Sequence, residues 1–287
     1  MRSADAARLV ALSAIWGASF LFTRIVAPAL GPIATADSRM LVAGIALLLW
    51  FRIARFDPQW RRWWPHYAAV GMINTGIPFI LFAFAALYIG AGEMAVLNAT
   101  SPMWGAVMSA AFLGERLTSR RVIGLALGVA GVALISNPSA REGAFLACIA
   151  ALAAAACYGY AGVYLRRWAP GAPARGLAVG TQLSSGLIVL PLLALWPPPA
   201  SPPPLIVASV LALGLVCGAV GYVLYFRLIA DLGATGALTV TYLIPLFAML
   251  WGALFLAETV TAAMAGGAAL VIAGTLLVLA GPAAPAR

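Results

Sequence analysis

Long apolar segments recur along almost the whole chain and constrain its fold more than any other feature. A helix that crosses the hydrocarbon core of a bilayer, about 30 Å thick, needs roughly 20 consecutive apolar residues. Ten segments of the 287-residue chain approach this length, and only the fifth is noticeably short. They are 7–27, 33–53, 67–88, 92–113, 120–135, 143–165, 175–195, 205–229, 234–256 and 262–280. The sequence therefore predicts an all-α polytopic membrane protein with ten transmembrane helices.

The composition favours the same fold class. Apolar residues make up 64% of the chain and charged residues 9%, whereas a soluble domain has about 45–50% and about 25%. Continuous apolar segments also lack the alternation that is typical of a membrane β-barrel. Three cysteines without a CxxC spacing and a single histidine, His66, cannot form a zinc site, so we expect neither a metal nor another cofactor. Without a catalytic set of His, Asp and Ser residues, no enzyme is expected either.

The positive charge is distributed asymmetrically about these segments. The net charge of +9 arises from 17 arginines and 8 acids, without lysine. With a cytoplasmic N-terminus and alternating segments, Arg141 lies outside, Arg24 and Arg39 lie at helix ends that face outward, and the other arginines are cytoplasmic. The cytoplasmic set is Arg2, Arg8, Arg52, Arg55, Arg61, Arg62, Arg116, Arg120, Arg121, Arg166, Arg167, Arg175, Arg227 and Arg287. The positive-inside rule then predicts an inner (plasma) membrane protein with both termini in the cytoplasm, surrounded by lipid and without a nucleic-acid partner.

The second half of the chain repeats the first. A shift of 143 residues aligns Gly90 with Gly233, Pro102 with Pro245, Glu115 with Glu258, Thr118 with Thr261, Gly124 with Gly267 and Gly131 with Gly274. A shift of 142 aligns the first helix with the sixth, including Arg24 with Arg166. Because each half has an odd number of helices, the second copy enters the membrane from the opposite face. We therefore predict two inverted five-helix repeats, 1–138 and 139–287, that enclose a central cavity and transport a solute by alternating access.

The repeated residues resemble the paired EamA domains of the drug/metabolite transporter superfamily. The resemblance covers essentially the whole chain and depends on Pro102, the Gly114-Glu115-Arg116-Leu117-Thr118 turn, Gly124 and Gly131 with their counterparts, on Ile15 to Phe20, and on Arg39. It implies a ten-helix fold with a central cavity and the export of amino acids or other small metabolites. Within the family the chain is most similar to the YddG-type exporters of aromatic amino acids. The second copy departs from the pattern, with Ala257 and Thr259 around Glu258.

Aromatic residues at matching positions of the two halves are the first candidates for substrate binding. The shifts align Trp16 with Tyr158, Phe79 with Tyr222, and Phe82 with Tyr225. Rings three residues apart share one face of a helix, and facing rings can stack on a flat apolar substrate. The alternative is that these rings pack the helices together or face lipid.

Prolines inside the predicted helices mark a second group of candidates. Pro78, Pro102 and Pro245 are expected to form hinges or breaks in their helices, because proline removes one backbone donor and frees the carbonyl about four residues earlier. The freed carbonyls near Asn98 and Thr241 can then bind an ammonium group. The predicted binding residues of this group are Asn98, Ser101, Thr241 and Tyr242. Hydrogen bonding between helices is the alternative role of Asn98.

No acidic residue lies plainly in the middle of a predicted helix, so a carboxylate for proton coupling is not evident. Glu115 and Glu258 are interpreted as turn residues that precede the capping Thr118 and Thr261, with gating as the alternative. Glycines in the fifth and tenth helices predict close packing within the chain or, alternatively, homodimerisation, so the chain is expected to be a monomer or a homodimer.

These observations predict a facilitative exporter of small metabolites, with amino acids, including aromatic ones, as the favoured substrates. The alternative is an exporter or carrier of quaternary-ammonium, drug-like or lipid molecules, for which the rings would form a cage.

Overall fold

The computed structural model describes residues 3–136, 142–199, 201–237 and 239–280, without the side chains of 234 and 235, and within these ranges the chain is helical and has no strand. The α-helices are α1 (Ser3–Ile53), α2 (Trp60–Gly71), α3 (Ile77–Ala85), α4 (Ala91–Asn98), α5 (Ser101–Leu113), α6 (Ser119–Ile135), α7 (Ala144–Trp168), α8 (Ala174–Val189), α9 (Pro204–Leu211), α10 (Gly221–Ala237), α11 (Val240–Leu256) and α12 (Ala262–Leu279). Arg2, Arg141, Arg287 and the predicted boundary at 138/139 lie outside the described residues.

A glycine divides the 51-residue α1 into two helices. A continuous helix of this length would extend about 77 Å, more than twice the thickness of the hydrocarbon core. Gly31, between Pro28 and Pro32, has a φ of 79°, a conformation that side chains rarely adopt. The parts 3–30 and 32–53 match the first two predicted segments, with the first beginning four residues earlier than expected.

Among the described residues, six helical stretches are long and apolar enough to cross a membrane, so the chain is a multi-pass membrane protein. They are Ser3–Ile53, Trp60–Ala85, Ala144–Trp168, Ala174–Ala194, Pro204–Gly233 and Ala262–Leu279. Two of them contain wide π-helical turns, Met72–Gly76 and Ala212–Val220. The predicted segment 92–113 is not continuous, because a turn at Ala99 and Thr100 separates α4 from α5.

The helices α6 and α12 pack with their backbones in direct contact through glycines. A Cβ atom on Gly124 would lie 2.6 Å from the carbonyl oxygen of Gly274, and one on Gly131 would lie 2.7 Å from that of Gly267. Small residues allow membrane helices to approach this closely. The predicted glycine faces thus pack against each other within one chain.

Candidate substrate-binding cavity

A cavity of about 840 Å³ lies between helices from both halves of the chain. Its walls come from both parts of α1 and from α3, α4, α5, α7, α8, α10 and α11, with the first turn of α6 and the last turn of α12. Its volume lies within the range of small-molecule sites, which are mostly apolar with a few polar groups that fix the ligand's orientation. A small organic molecule therefore fits inside.

Most of the residues predicted to bind substrate line this cavity. The lining includes Trp16, Phe79, Phe82, Asn98, Ser101, Tyr158, Tyr222, Tyr225 and Thr241. Tyr242 does not line it and is half-buried in α11. Successive residues of an α-helix point about 100° apart, so Thr241 reaches the cavity and its neighbour does not. Substrate binding by the lining residues stays a prediction.

The rings make reciprocal contacts between the two halves. Trp16 lies 5.2 Å from Tyr225 between ring centroids, and Phe82 lies 6.2 Å from Tyr158 in a stacked arrangement. Because Trp16 aligns with Tyr158 and Phe82 with Tyr225, each contact is the counterpart of the other. The Trp16 indole is also fixed, since its Nε1 donates to the Cys217 carbonyl at 3.1 Å. The cavity thus has an ordered aromatic wall.

The three prolines have different effects on their helices. Pro102 is the second residue of α5, directly after the turn that ends α4, and Pro78 is the second residue of α3, after the π-helical turn. Pro245 does not break its helix, whereas its role as a hinge stays a prediction. Since α11 begins at Val240, Pro245 lies only five residues from its start and the helix continues to Leu256.

The backbone acceptor expected near Asn98 is already occupied. The Ser101 hydroxyl donates to the Asn98 carbonyl oxygen at 2.6 Å. This contact compensates for the donor that Pro102 lacks. The side chain of Asn98 still lines the cavity.

Arg39 lies in the cavity wall, a location that the sequence did not indicate. Its Cζ atom lies 3.8 Å from the centroid of the Phe79 ring, a cation–π contact. Among the described residues no carboxylate is within ion-pair distance of its guanidinium. A positive charge without an anionic partner therefore faces the cavity.

Gln182 of α8 also lines the cavity, and the sequence interpretation missed it. It is 2% exposed, its side chain interacts with Tyr222, and its Oε1 atom has no hydrogen-bond partner. The signal that could have found it is its residue type, because it is the one amide in the seventh segment and stands near the middle of it.

The turn carboxylates form ion pairs as well as turns. Glu115 binds Arg121 at 3.1 Å and Arg166 at 2.8 Å, and Arg166 also donates to Ser109. Burial alone would raise the pKa of Glu115, but hydrogen bonds from Arg166 and Arg121 lower it below its ordinary value. Glu115, Arg121 and Arg166 all line the cavity, so we call this region the Glu115 end.

The Glu258 end has a different set of contacts. Glu258 accepts from the backbone N–H of Ala91 at 2.9 Å, and its Oε1 lies 3.7 Å from the Arg24 Nε atom. Arg24 also donates to the Ala86 carbonyl. Neither Glu258 nor Arg24 lines the cavity.

The predicted threonine caps are confirmed at both turns. Thr118 accepts from the Arg121 N–H at 3.3 Å, and Thr261 accepts from the Met264 N–H at 3.1 Å. Each cap satisfies one of the free donors at a helix start.

Comparison with known proteins identifies the family. The pattern of the EamA-like transporter family matches residues 6–137 and again residues 145–280. The chain belongs to the EamA-like transporter family. It is therefore a transporter of the drug/metabolite transporter superfamily and not an enzyme.

Similar proteins extend over nearly the whole chain. The uncharacterized transporter YvbV of Bacillus subtilis is 26% identical over 94% of this chain and 90% of its own. A probable terminal-alkyne amino-acid exporter of Streptantibioticus cattleyicolor is 28% identical over 94% and 91%. A solved crystal structure with 21% identity covers 96% of both chains with a TM-score of 0.67, which shows the shared fold.

Proposed function

We propose that this chain exports small metabolites, with amino acids, including aromatic ones, as the favoured substrates, across the inner (plasma) membrane. The observation that carries the proposal is the cavity itself, in which aromatic rings from both halves surround the unpaired charge of Arg39. Rings bind a flat apolar side chain, and a guanidinium binds a carboxylate. A related protein named as an amino-acid exporter supports this substrate class.

Transport proceeds by alternating access between two inverted five-helix repeats, 1–138 and 139–287, that together provide ten transmembrane helices. Reciprocal contacts support this arrangement. Arg24 aligns with Arg166 and Glu258 with Glu115, and the contacts Arg24–Glu258 and Arg166–Glu115 are therefore counterparts. Two similar units of opposite orientation can rock about a site between them.

The cavity is assigned to the cytoplasmic side, from which an exporter takes its substrate. It reaches the Glu115 end, where the side chain of Arg166 is 53% exposed, and it does not reach Arg24 or Glu258. The concentration of arginine at cytoplasmic segments supports cytoplasmic termini and a cytoplasmic Glu115 end.

The charge of the cavity favours amino acids over quaternary-ammonium molecules. The charged residues described in its lining are Arg39, Glu115, Arg121 and Arg166. The one carboxylate is shared by two guanidinium groups, so the wall is positive overall and repels a permanent cation. Drug-like or lipid molecules without a positive charge remain the alternative substrates.

Efflux from vesicles that contain the purified protein tests the proposal. We expect labelled aromatic amino acids to leave the vesicles down their gradient without a proton gradient. Tyr158→Ala, in the cavity wall, should lower the rate about tenfold, whereas Tyr242→Ala is the matched control outside the wall and should retain most of it. Efflux of cationic dyes alone, or equal effects of the two substitutions, would contradict the proposal.

A further inference from the structure

Two polar side chains in the cavity wall are left without the partners that their chemistry requires. Arg39 has a guanidinium with no carboxylate partner among the described residues, and Gln182 has a buried Oε1 without a donor. Buried polar atoms in proteins are nearly always hydrogen-bonded, and the exceptions need an explanation. A ligand that fills the cavity supplies one.

The Arg39 guanidinium is positioned to bind an anion. Its Cζ atom lies 3.8 Å from the centroid of the Phe79 ring, and Tyr158, Cys217 and Tyr222 lie close enough to interact with it electrostatically. A cation–π contact uses none of the N–H donors of the guanidinium, so these stay available to a ligand. Those donors fit the two oxygens of a carboxylate.

Gln182 offers the complementary group. Its side chain interacts with Tyr222, which also lies near Arg39, so the two polar groups share one part of the cavity. The terminal torsion of a glutamine is broad and roughly twofold, so rotation presents the oxygen to a ligand at low cost. An amide oxygen accepts hydrogen bonds and fits an ammonium group.

The two residues also occupy equivalent positions of the repeated sequence. Gln182 follows Arg39 by 143 residues, and Tyr222 follows Phe79 by the same number. The contact of Arg39 with Phe79 is thus the counterpart of the contact of Gln182 with Tyr222. One copy presents a cation and the other a neutral acceptor toward the seam between the halves.

We propose that Arg39 and Gln182 form the head-group site for an α-amino acid, in which Arg39 binds the carboxylate and Gln182 accepts from the ammonium. This inference rests on the proposed function and specifies which part of the substrate is recognised. The carboxylate is bound by a charge and the ammonium only by a neutral amide. Loss of the carboxylate is therefore expected to reduce transport more than loss of the ammonium.

Three compounds with the same ring separate these contributions. They are phenylalanine, 3-phenylpropanoate, which lacks the ammonium, and 2-phenylethylamine, which lacks the carboxylate. For vesicles containing the wild-type protein, with protein-free vesicles subtracted, we expect phenylalanine to be transported fastest. We expect 3-phenylpropanoate to be several-fold slower and 2-phenylethylamine at least tenfold slower.

Two substitutions assign the roles to residues. Arg39→Gln should lower transport of phenylalanine and 3-phenylpropanoate at least tenfold, with partial recovery in Arg39→Lys. Gln182→Leu should lower phenylalanine transport several-fold and leave 3-phenylpropanoate unchanged. A residue that only supports folding would change both compounds equally. Thermal unfolding in detergent verifies that each variant is folded. If a variant does not fold, the comparison of the three compounds with the wild-type protein still tests the proposal.

The outcomes distinguish this inference from the proposed function. Wild-type transport of phenylalanine together with equally fast 2-phenylethylamine, or with no effect of Arg39→Gln, would overturn the head-group site and leave amino-acid export intact. Wild-type protein that transports none of the three compounds and no other labelled amino acid would overturn both.

Discussion

The Glu115 and Glu258 ends derive from the same repeated turn but have opposite relations to the cavity. At the Glu115 end, the carboxylate and its two arginines line the cavity. At the Glu258 end, the carboxylate binds the start of α4 and pairs with Arg24 beyond the end of the cavity. The same repeated turn thus forms an ion pair that lines the cavity at one end and an ion pair that lies beyond the cavity at the other. We call the Glu258 end the closed end, because the cavity does not reach it.

A single residue type accounts for part of the difference. A Cβ atom on Gly252 would lie 2.5 Å from the Glu258 Oε2 atom, so a side chain at this position would displace the carboxylate from its present place. The residue 143 positions earlier is Ser109, whose hydroxyl instead accepts from Arg166. The closed end therefore depends on tight packing around its carboxylate, which the Glu115 end does not reproduce.

The largest effect is expected when the closed end loses its charge. Glu258→Gln removes the ion pair with Arg24 and weakens the hydrogen bond from Ala91. Hydrogen bonds to charged groups contribute about 1.5–3 kcal/mol, and about 1.4 kcal/mol corresponds to a tenfold change in population. We expect the cavity to become about tenfold more accessible from the Glu258 end.

A cysteine in the cavity measures this accessibility. Gly162 lines the wall, and a Cβ atom there would have no neighbour within 4 Å, so Gly162→Cys fits without distortion. The background has Cys148, Cys157 and Cys217 replaced. An impermeant thiol reagent should react from the Glu258 side about tenfold faster in Glu258→Gln, and less than threefold faster in Glu115→Gln. Equal changes in both variants would show that the ends are not functionally different.

The next largest effect is expected on the stability of the pair α6 and α12, to which each half of the chain contributes one helix. Gly124→Ala places a methyl group about 2.6 Å from the Gly274 carbonyl, so α6 and α12 must separate. Such overpacking costs about 1–3 kcal/mol. A lower unfolding temperature in detergent is expected. Gly162→Ala is the matched control with free space around it. Helix propensity alone favours alanine over glycine, so a similar loss in that variant would show that the close contact with Gly274 is not the cause.

The sequence indicated the aromatic wall because duplication places rings at equivalent positions of both halves. It did not indicate that Arg39 and Gln182 line the cavity. Depth in the membrane follows from distance along a segment, but the direction of a side chain around its helix follows from the neighbouring helices. Segments that are apolar on every side give no sign of that direction. The prediction for Tyr242 shows the same limit. Tyr242 was predicted to bind substrate, but its neighbour Thr241 is the residue that lines the cavity.

A smaller effect is expected from pH at the Glu115 end. The pKa of Glu115 is lowered in the folded protein, so its ion pairs stabilise the fold above its ordinary pKa and are lost as the pH falls through the folded value. A partly exposed network of this kind contributes about 1 kcal/mol. Wild type should therefore unfold at a higher temperature than Glu115→Gln at pH 7. The difference should decrease as the pH falls below the ordinary pKa of glutamate, about 4.3, and vanish below the lowered pKa of the folded protein. A constant difference across this range would assign the stabilisation to packing of the side chain.

The smallest effect is expected at Asp37, which is 2% exposed and whose Oδ1 has no hydrogen-bond partner. A carboxylate that couples transport to protons must exchange them with the substrate pathway, and Asp37 does not line the cavity. For a facilitative exporter, Asp37→Asn should leave efflux unchanged with and without a proton gradient, because it keeps the shape of the side chain. A gradient that accelerates wild-type efflux but not that of Asp37→Asn would instead identify Asp37 as a coupling group.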